Sequence, residues 1–345
     1  MTNNFFNNRK VFIVAELSAN HMKNKSIIID TIKAAKNSGA DAFKIQTFDI
    51  TQMTLDTKQD NYIVKSGIWK GYNHFELYKE IHLPWEWHEL IFEECYKQDL
   101  ICFSTPFDLK SVKFLENLNN PIYKIASSEV NHIPLIELVS TLKKPIIFST
   151  GAALENDIKL FIDIARKNKN EDITVLQCTA KYPAKIEDAN LIKMSEIENN
   201  YNVKVGLSDH TLSNLTSIIA TSLGATVIEK HFKLSNDIKS PDSSFSLNPK
   251  RFEKLVQDIR DTEKAMKYHV PNEKSLSSAR QNLRSIFAIS DIKKGEVFSE
   301  KNLCVMRPNL GIPPKYYQSF IGKKSPIDIS KNTPINDYTL KLINI

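Results

Sequence analysis

The chain has 345 residues, 41% of them hydrophobic and 25% charged, with a formal net charge of +6. That length exceeds one small domain and leaves room for a large barrel with an accessory domain. Charge is spread without blocks, which excludes a nucleic-acid-binding arm and permits an anionic small substrate.

The opening MTNNFFNNRKVFIVAELSANH has no signal-peptide core, and its apolar run stops at Glu16, so neither a secretory signal nor a membrane span is expected. From residue 11 to about 267 the pattern alternates strand and helix. Eight runs rich in β-branched or aromatic residues read as buried strands: 11–17, 42–48, 100–106, 121–127, 144–150, 173–179, 203–209 and 226–232. Helical stretches follow at 25–38, 85–98, 109–118, 134–142, 156–167, 191–199, 214–223 and 249–266. Gly39 and Gly224 are placed to stop two of them in the left-handed conformation. Eight strand–helix pairs in this length predict an α/β fold, a (β/α)8 TIM barrel, over 1–268. No Gly-rich dinucleotide fingerprint supports an open doubly wound sheet. The four cysteines form no C-x-x-C pair and fit reduced thiols in a cytoplasmic protein.

The stretch 49–84 reads as a long rim loop carrying Trp69, Tyr72 and Phe75. A linker is expected over 269–284. Beyond it DIKKGEVFSEKNL (291–303) recurs loosely as DISKNTPINDYTL (328–340), with Gly295 matching Asn332 and Phe298 matching Ile335. Gly and Asn tolerate the positive φ of tight turns. Two hairpin-like units in a small β-rich domain, 285–345, are predicted.

Active sites of such barrels lie at the C-terminal strand ends. Those ends supply Glu16, Asn20 and His21; Lys44 and Gln46; Ser104 and Thr105; Lys124, Ser127 and Glu129; Ser149 and Thr150; Lys181 and Tyr182; Ser208 and His210; Lys230 and His231. Lys44 and Lys124 stand inside apolar strands, where charge is costly unless paired or bound to ligand. Internal pairs with Glu16 or Glu129 are expected for them. With nearby hydroxyls they form a candidate phosphate and carboxylate cradle. GLSDH (206–210) and EKHF (229–232) close neighbouring strands, so His210 and His231 would face a common space and can share one metal ion. The plainer alternative is two unrelated histidines. The residues alone point to a metal-assisted enzyme acting on a small phosphorylated or carboxylated compound. A barrel hydrolase or aldolase, or a sugar-binding protein, are the other classes open here.

The ordered set ELSANH (16–21), KIQTF (44–48), FSTPF (103–107), KIASSE (124–129), STG (149–151), KYP (181–183), GLSDH, EKHF, SPD (240–242) and MRPN (306–309) resembles the sialic acid synthase family. That resemblance spans nearly the whole chain, including a C-terminal module similar to the family's antifreeze-like SAF domain. Family members are (β/α)8 barrels that condense phosphoenolpyruvate with an open-chain acetamido sugar to give a nonulosonic acid and phosphate. Gly67-Ile68-Trp69, Ser128 and DSSFSL (242–247) are most similar to the branch that makes pseudaminic acid from 2,4-diacetamido-2,4,6-trideoxy-altrose. The neuraminate and legionaminate branches share the chemistry with another sugar.

The resemblance implies a role for each matched residue. His210 and His231 would hold a divalent metal, Mn2+ or Mg2+, with Co2+ a further candidate. Lys44, Thr105, Lys124, Ser127, Ser149 and Ser208 would hold phosphoenolpyruvate. Glu16, Gln46, Tyr182 and Asp242 would contact the sugar, and Glu129 would orient or deprotonate the attacking water. Arg307 would reach the sugar in a partner protomer of a domain-swapped homodimer.

Overall fold

The computed structural model describes residues 10–267 and 271–343. They divide into two compact units at Lys267 and Tyr268. Residues 1–9 of the opening stretch, residues 268–270 at the linker and the last two residues lie outside the described residues.

In the first unit eight parallel strands close a barrel in chain order. They are β1 Phe12–Glu16, β2 Ala42–Thr47, β3 Ile101–Pro106, β4 Tyr123–Ile125, β5 Ile146–Ser149, β6 Ile173–Cys178, β7 Lys204–Asp209 and β8 Val227–His231. Each falls in a predicted run. Helices follow them, Lys25–Asn37 first and Pro249–Ala265 last. Helix starts are set by side chains that take up free backbone N–H groups: Asn24, Asp108 and Asn248 each accept from the first turn. Gly39 and Gly224 take φ of 88° and 92° and stop two helices as expected. The last helix seals the barrel at β1: Glu263 accepts from Val11 N–H, Arg260 donates to Val11 O at 2.8 Å, and Arg260 lies 2.6 Å from Asp41.

Alternation along the strands sorts the interior. Phe12, Val14, Ala42, Phe103, Ile147, Leu176 and Val227 form one buried cluster. Two residues further along the same strands come Glu16, Lys44, Thr105, Ser149, Cys178 and Glu229. The apolar layer therefore becomes the floor of a polar one. Residues of the opposite parity pack against the helices in a second and larger apolar cluster.

The stretch 49–84 is more ordered than a loop. It holds the helices Ile50–Met53 and His74–Ile81 with a 3-10 turn at Asp60–Tyr62. Asn73 caps the longer helix, which buries only Leu77, so its apolar periodicity is too sparse to stand out in sequence.

Two imidazoles are buried in this unit away from the strand-end site. His88 Nε2 lies 2.8 Å from Thr47 Oγ1, and His21 Nε2 lies 3.0 Å from Ile81 O. Burial lowers both from 6.5 to about 4. The unfolded chain takes protons near 6.5 and the fold only near 4, so stability is full above about pH 6.5 and falls as pH drops toward 4. Each imidazole contributes on the order of 3 kcal/mol to that loss. The thermal midpoint is expected to fall steadily between pH 6.5 and 4.5. A flat midpoint across that window, measured by circular dichroism, would exclude neutral buried imidazoles.

In the second unit β9 Ser285–Ala288 pairs antiparallel with β10 Leu303–Met306. Ile286, Ile292, Phe298, Leu303, Phe320, Ile329 and Ile335 build its core. Against the two expected hairpins, β9 and β10 bracket the first repeat as one antiparallel pair, no such strand pair brackets the second among the described residues, and further pairing runs between the repeats. Ile292 N–H donates to Ile329 O and Ile329 N–H to Ile292 O, both at 2.8 Å. Asp328 accepts from Lys294 N–H at 2.7 Å, and Asp291 accepts from Lys331 N–H at 2.8 Å. The bends at 291–295 and 328–332 thus exchange equivalent bonds. Gly295 and Asn332 do take positive φ, 88° and 64°. The first repeat ends in a strand and the second in the helix Asp337–Leu342. The segment read as linker carries the helix Glu273–Gln281, capped by Asn272.

Candidate active site

The strand ends open into a cavity of about 400 Å³, within the range of small-molecule sites. Twelve expected residues line it: Glu16, Lys44, Gln46, Thr105, Lys124, Ser127, Ser149, Tyr182, Ser208, His210, His231 and Asp242. Alternation explains the selection. Other strand-end candidates turn outward or into the rim: Asn20 donates to Phe232 O, Ser104 to Ile45 O, Thr150 to Gln177 and Lys230 to Asp209.

At the cavity floor two lysines meet two carboxylates. Lys44 Nζ is 2.5 Å from Glu16, donates to Thr105 Oγ1 at 2.9 Å, and is 3.8 Å from Glu229. Lys124 Nζ is 3.4 Å from Glu229. The Lys44 pair with Glu16 is the expected one. Lys124 instead pairs with Glu229, because Glu129 lies past β4 in a 3-10 turn while Glu229 points inward from β8. Burial pushes Glu16 up and Lys124 down in pKa. Burial also opposes charge on Glu229, but Lys124 and Lys44 outweigh it and hold the carboxyl below its usual range. The four charges cancel, so an arriving acid must displace carboxylates from the lysines. Ser149 Oγ is buried without a hydrogen-bond partner and offers that acid a donor.

Above this layer the imidazoles of His210 and His231 stand with ring centroids 5.3 Å apart. His210 Nδ1 donates to Thr179 O at 2.8 Å, which fixes its tautomer. Burial, followed by His210, Lys44 and Lys124, holds His231 well below its ordinary pKa, in the neutral form a metal requires. His231 Nδ1 is buried with no hydrogen-bond partner among the described residues. An orphaned imidazole nitrogen beside a second ring fits a divalent cation. No group of three or more His, Cys, Asp or Glu arranged for a metal occurs among the described residues, so other ligands would come from substrate and water.

The mouth is aromatic on one side. Trp69 packs on Tyr182 at 5.3 Å, Tyr182 on His210 at 4.2 Å, and Phe245 on His231 at 4.8 Å. The other side is polar. Gln46 donates to Glu16 and Ser18, both at 3.0 Å, and Ser18 donates to Asp242. Burial raises the pKa of both Asp242 and Tyr182.

Comparison with known proteins places this architecture. The NeuB family profile matches residues 31–271, and the SAF domain profile matches residues 284–339. The chain belongs to the NeuB family. A pseudaminic acid synthase of Helicobacter pylori is 43% identical over 94% of this chain and 96% of its own length. An N,N'-diacetyllegionaminic acid synthase of Campylobacter jejuni is 35% identical over 91% and 96%. The crystal structure of spore coat polysaccharide biosynthesis protein SpsE from Bacillus subtilis superposes with a TM-score of 0.65 at 30% identity, covering 96% of this chain and 95% of that one.

Two expected residues of this NeuB-family chain do not line the cavity. Glu129 stands beside it, where burial raises its pKa and its charge acts on the Tyr78 phenol. Arg307 is exposed at the end of β10 in the second unit. Glu229, Ser18 and Phe245 line the cavity without having been foreseen. Counting back two residues from His231 would have found Glu229; Ser18 and Phe245 lie off the strands. No helix among the described residues is long and apolar enough to cross a membrane.

Proposed function

We propose that this chain is a pseudaminic acid synthase, condensing phosphoenolpyruvate with 2,4-diacetamido-2,4,6-trideoxy-altrose to give pseudaminic acid and phosphate. One observation carries the chemistry: a two-lysine acid cradle and a pair of imidazoles share one cavity. The identity to the Helicobacter pylori synthase carries the choice of sugar.

In this reading Lys44 and Lys124 hold the phosphate and carboxylate, with hydroxyls from Thr105, Ser127, Ser149 and Ser208. Glu16, Gln46, Tyr182 and Asp242 orient the open-chain sugar. The methylene carbon of phosphoenolpyruvate attacks the sugar aldehyde carbon, forming the new C–C bond. Water adds at the former C2 and phosphate leaves with cleavage of its C–O bond; Glu129, which stands beside the cavity, would turn into it to orient or deprotonate that water. His210 and His231 would hold a divalent ion, which when bound would supply Lewis-acid polarisation of the aldehyde. Trp69, Tyr182 and Phe245 screen the reacting atoms from bulk water and suit a deoxy sugar with acetamido methyls. The four cysteines are free thiols, in keeping with a reducing cytoplasm.

Phosphate release with the altro, manno and N-acetylmannosamine sugars tests the assignment. Turnover fastest with the altro sugar is expected. A preference for the manno diacetamido sugar would favour legionaminate synthase, which the 35% identity to the Campylobacter jejuni enzyme keeps as the second reading. Turnover without phosphoenolpyruvate would sink the reaction class. A contribution of Arg307 to the sugar of a partner protomer predicts that Arg307→Ala raises the sugar KM about tenfold more than the phosphoenolpyruvate KM. Equal effects would remove Arg307 from sugar binding, and a monomer in sedimentation would remove the homodimer.

A further inference from the structure

β7 and β8 each end beside an imidazole of the site, and one buried ion pair stands directly behind both. Asp209 and Lys230 face each other as the last rung of the β7–β8 ladder. His210 and His231 follow them immediately in sequence. By strand alternation the ion pair points out of the barrel where the imidazoles point in. Lys230 Nζ donates to Asp209 Oδ2 at 2.6 Å and to Ser213 O at 3.1 Å, and both side chains are 1% exposed.

The carboxylate collects more than the lysine. Thr216 Oγ1 and Ser217 Oγ, from the helix Leu215–Ser222, donate to Asp209 Oδ2 at 2.8 and 2.9 Å. Thr211 N–H donates to Oδ1 at 2.9 Å. One carboxylate therefore joins the ends of both strands, the turn after β7 and the first turn of a helix. His210 sits between the residue that bears this carboxylate and Thr211, whose N–H it holds.

Stability does not account for such a pair. Two buried charges are commonly no better than an apolar pair of the same volume. An apolar pair has no direction, however, whereas a carboxylate with four directed donors fixes where two strand ends lie relative to each other. The separation of the rings decides whether one ion reaches both.

We propose that the Asp209–Lys230 pair is a positioning device that holds His210 and His231 at the spacing needed to share one divalent cation. This rests on the reading of those two rings as cation ligands.

The test replaces the pair by an apolar one, Asp209→Leu with Lys230→Met, in the full chain. Mn2+ affinity is measured by titration calorimetry, together with the thermal midpoint and phosphoenolpyruvate affinity in chelator. The expected result is a Mn2+ Kd raised about 10- to 100-fold, with phosphoenolpyruvate affinity close to wild type and a midpoint lowered by the donors that lose Asp209. A folded double variant whose Mn2+ Kd stays within about twofold of wild type overturns the proposal. So does an equal loss of Mn2+ and phosphoenolpyruvate affinity, which marks a general structural role. If the double variant does not fold, Thr216→Val with Ser217→Ala carries the test: it removes two donors to Asp209 and is expected to raise the Mn2+ Kd several-fold, and an unchanged Kd overturns the proposal. Wild-type protein that binds no Mn2+ overturns the ligand reading itself, and is seen before any variant is made.

Discussion

Lys124→Met is expected to lower kcat/KM for phosphoenolpyruvate by about 10²- to 10³-fold. The lysine is 4% exposed and its charge is balanced by Glu229 at 3.4 Å. Removing it withdraws one of two cations from the acid cradle and leaves Glu229 with Lys44, at 3.8 Å, and the Ser208 hydroxyl, at 3.4 Å. The cavity floor then carries a net negative charge, which repels the incoming acid as well as failing to hold it. Lys124→Arg is expected to restore little, because a planar fork cannot occupy the space of an ammonium in a packed strand layer. Lys181→Met serves as the control: that lysine is 63% exposed and pairs with Asp188. Phosphate release at varied phosphoenolpyruvate measures all three. A Lys124→Met enzyme within tenfold of wild type would remove this lysine from substrate binding.

His231→Ala is expected to abolish chelator-sensitive turnover, a loss of at least about 10³-fold, and to remove Mn2+ binding in calorimetry. The ring's Nδ1 has no hydrogen-bond partner among the described residues, so truncation breaks no such bond of that atom, and the fold is expected to persist. What disappears is one of two imidazoles 5.3 Å apart. His210 alone, already tied through Nδ1 to Thr179 O, offers a single nitrogen. If the variant still turned over, with chelator stopping it and Mn2+ restoring it, His231 would not be a ligand.

Much of this was legible before any coordinates. Eight apolar runs became eight strands because a barrel strand is buried on both faces and writes its burial into consecutive residues. Lys44 and Lys124 stood out because a charge in such a run needs a reason. The list of strand ends mixed both faces, and only strict alternation separates His210 from Asp209 or His231 from Lys230. Glu229 is hidden by the same mixing: Glu16 and Glu129 are the partners the rim suggests, Lys44 does pair with Glu16, and Lys124 takes instead the residue facing it across the barrel. Phe245 and Ser18 come from loops, whose path is set by packing and carries no period in sequence. In the second unit the recurrence of DIKKG and DISKN was readable, but whether a repeat folds on itself or with its twin depends on partners far apart in the chain.

That reciprocity bears on how the C-terminal unit assembles. Asp291 closes a turn that Lys331 belongs to, and Asp328 closes one that Lys294 belongs to. Each bend has local bonds, Glu296 N–H to Lys293 O and Thr333 N–H to Ser330 O, and takes one further acceptor from the other segment. Ordering one without the other leaves the Lys294 or Lys331 amide open and Ile292 and Ile329 unpaired, so the order of each segment leans on the other although 37 positions of chain separate them.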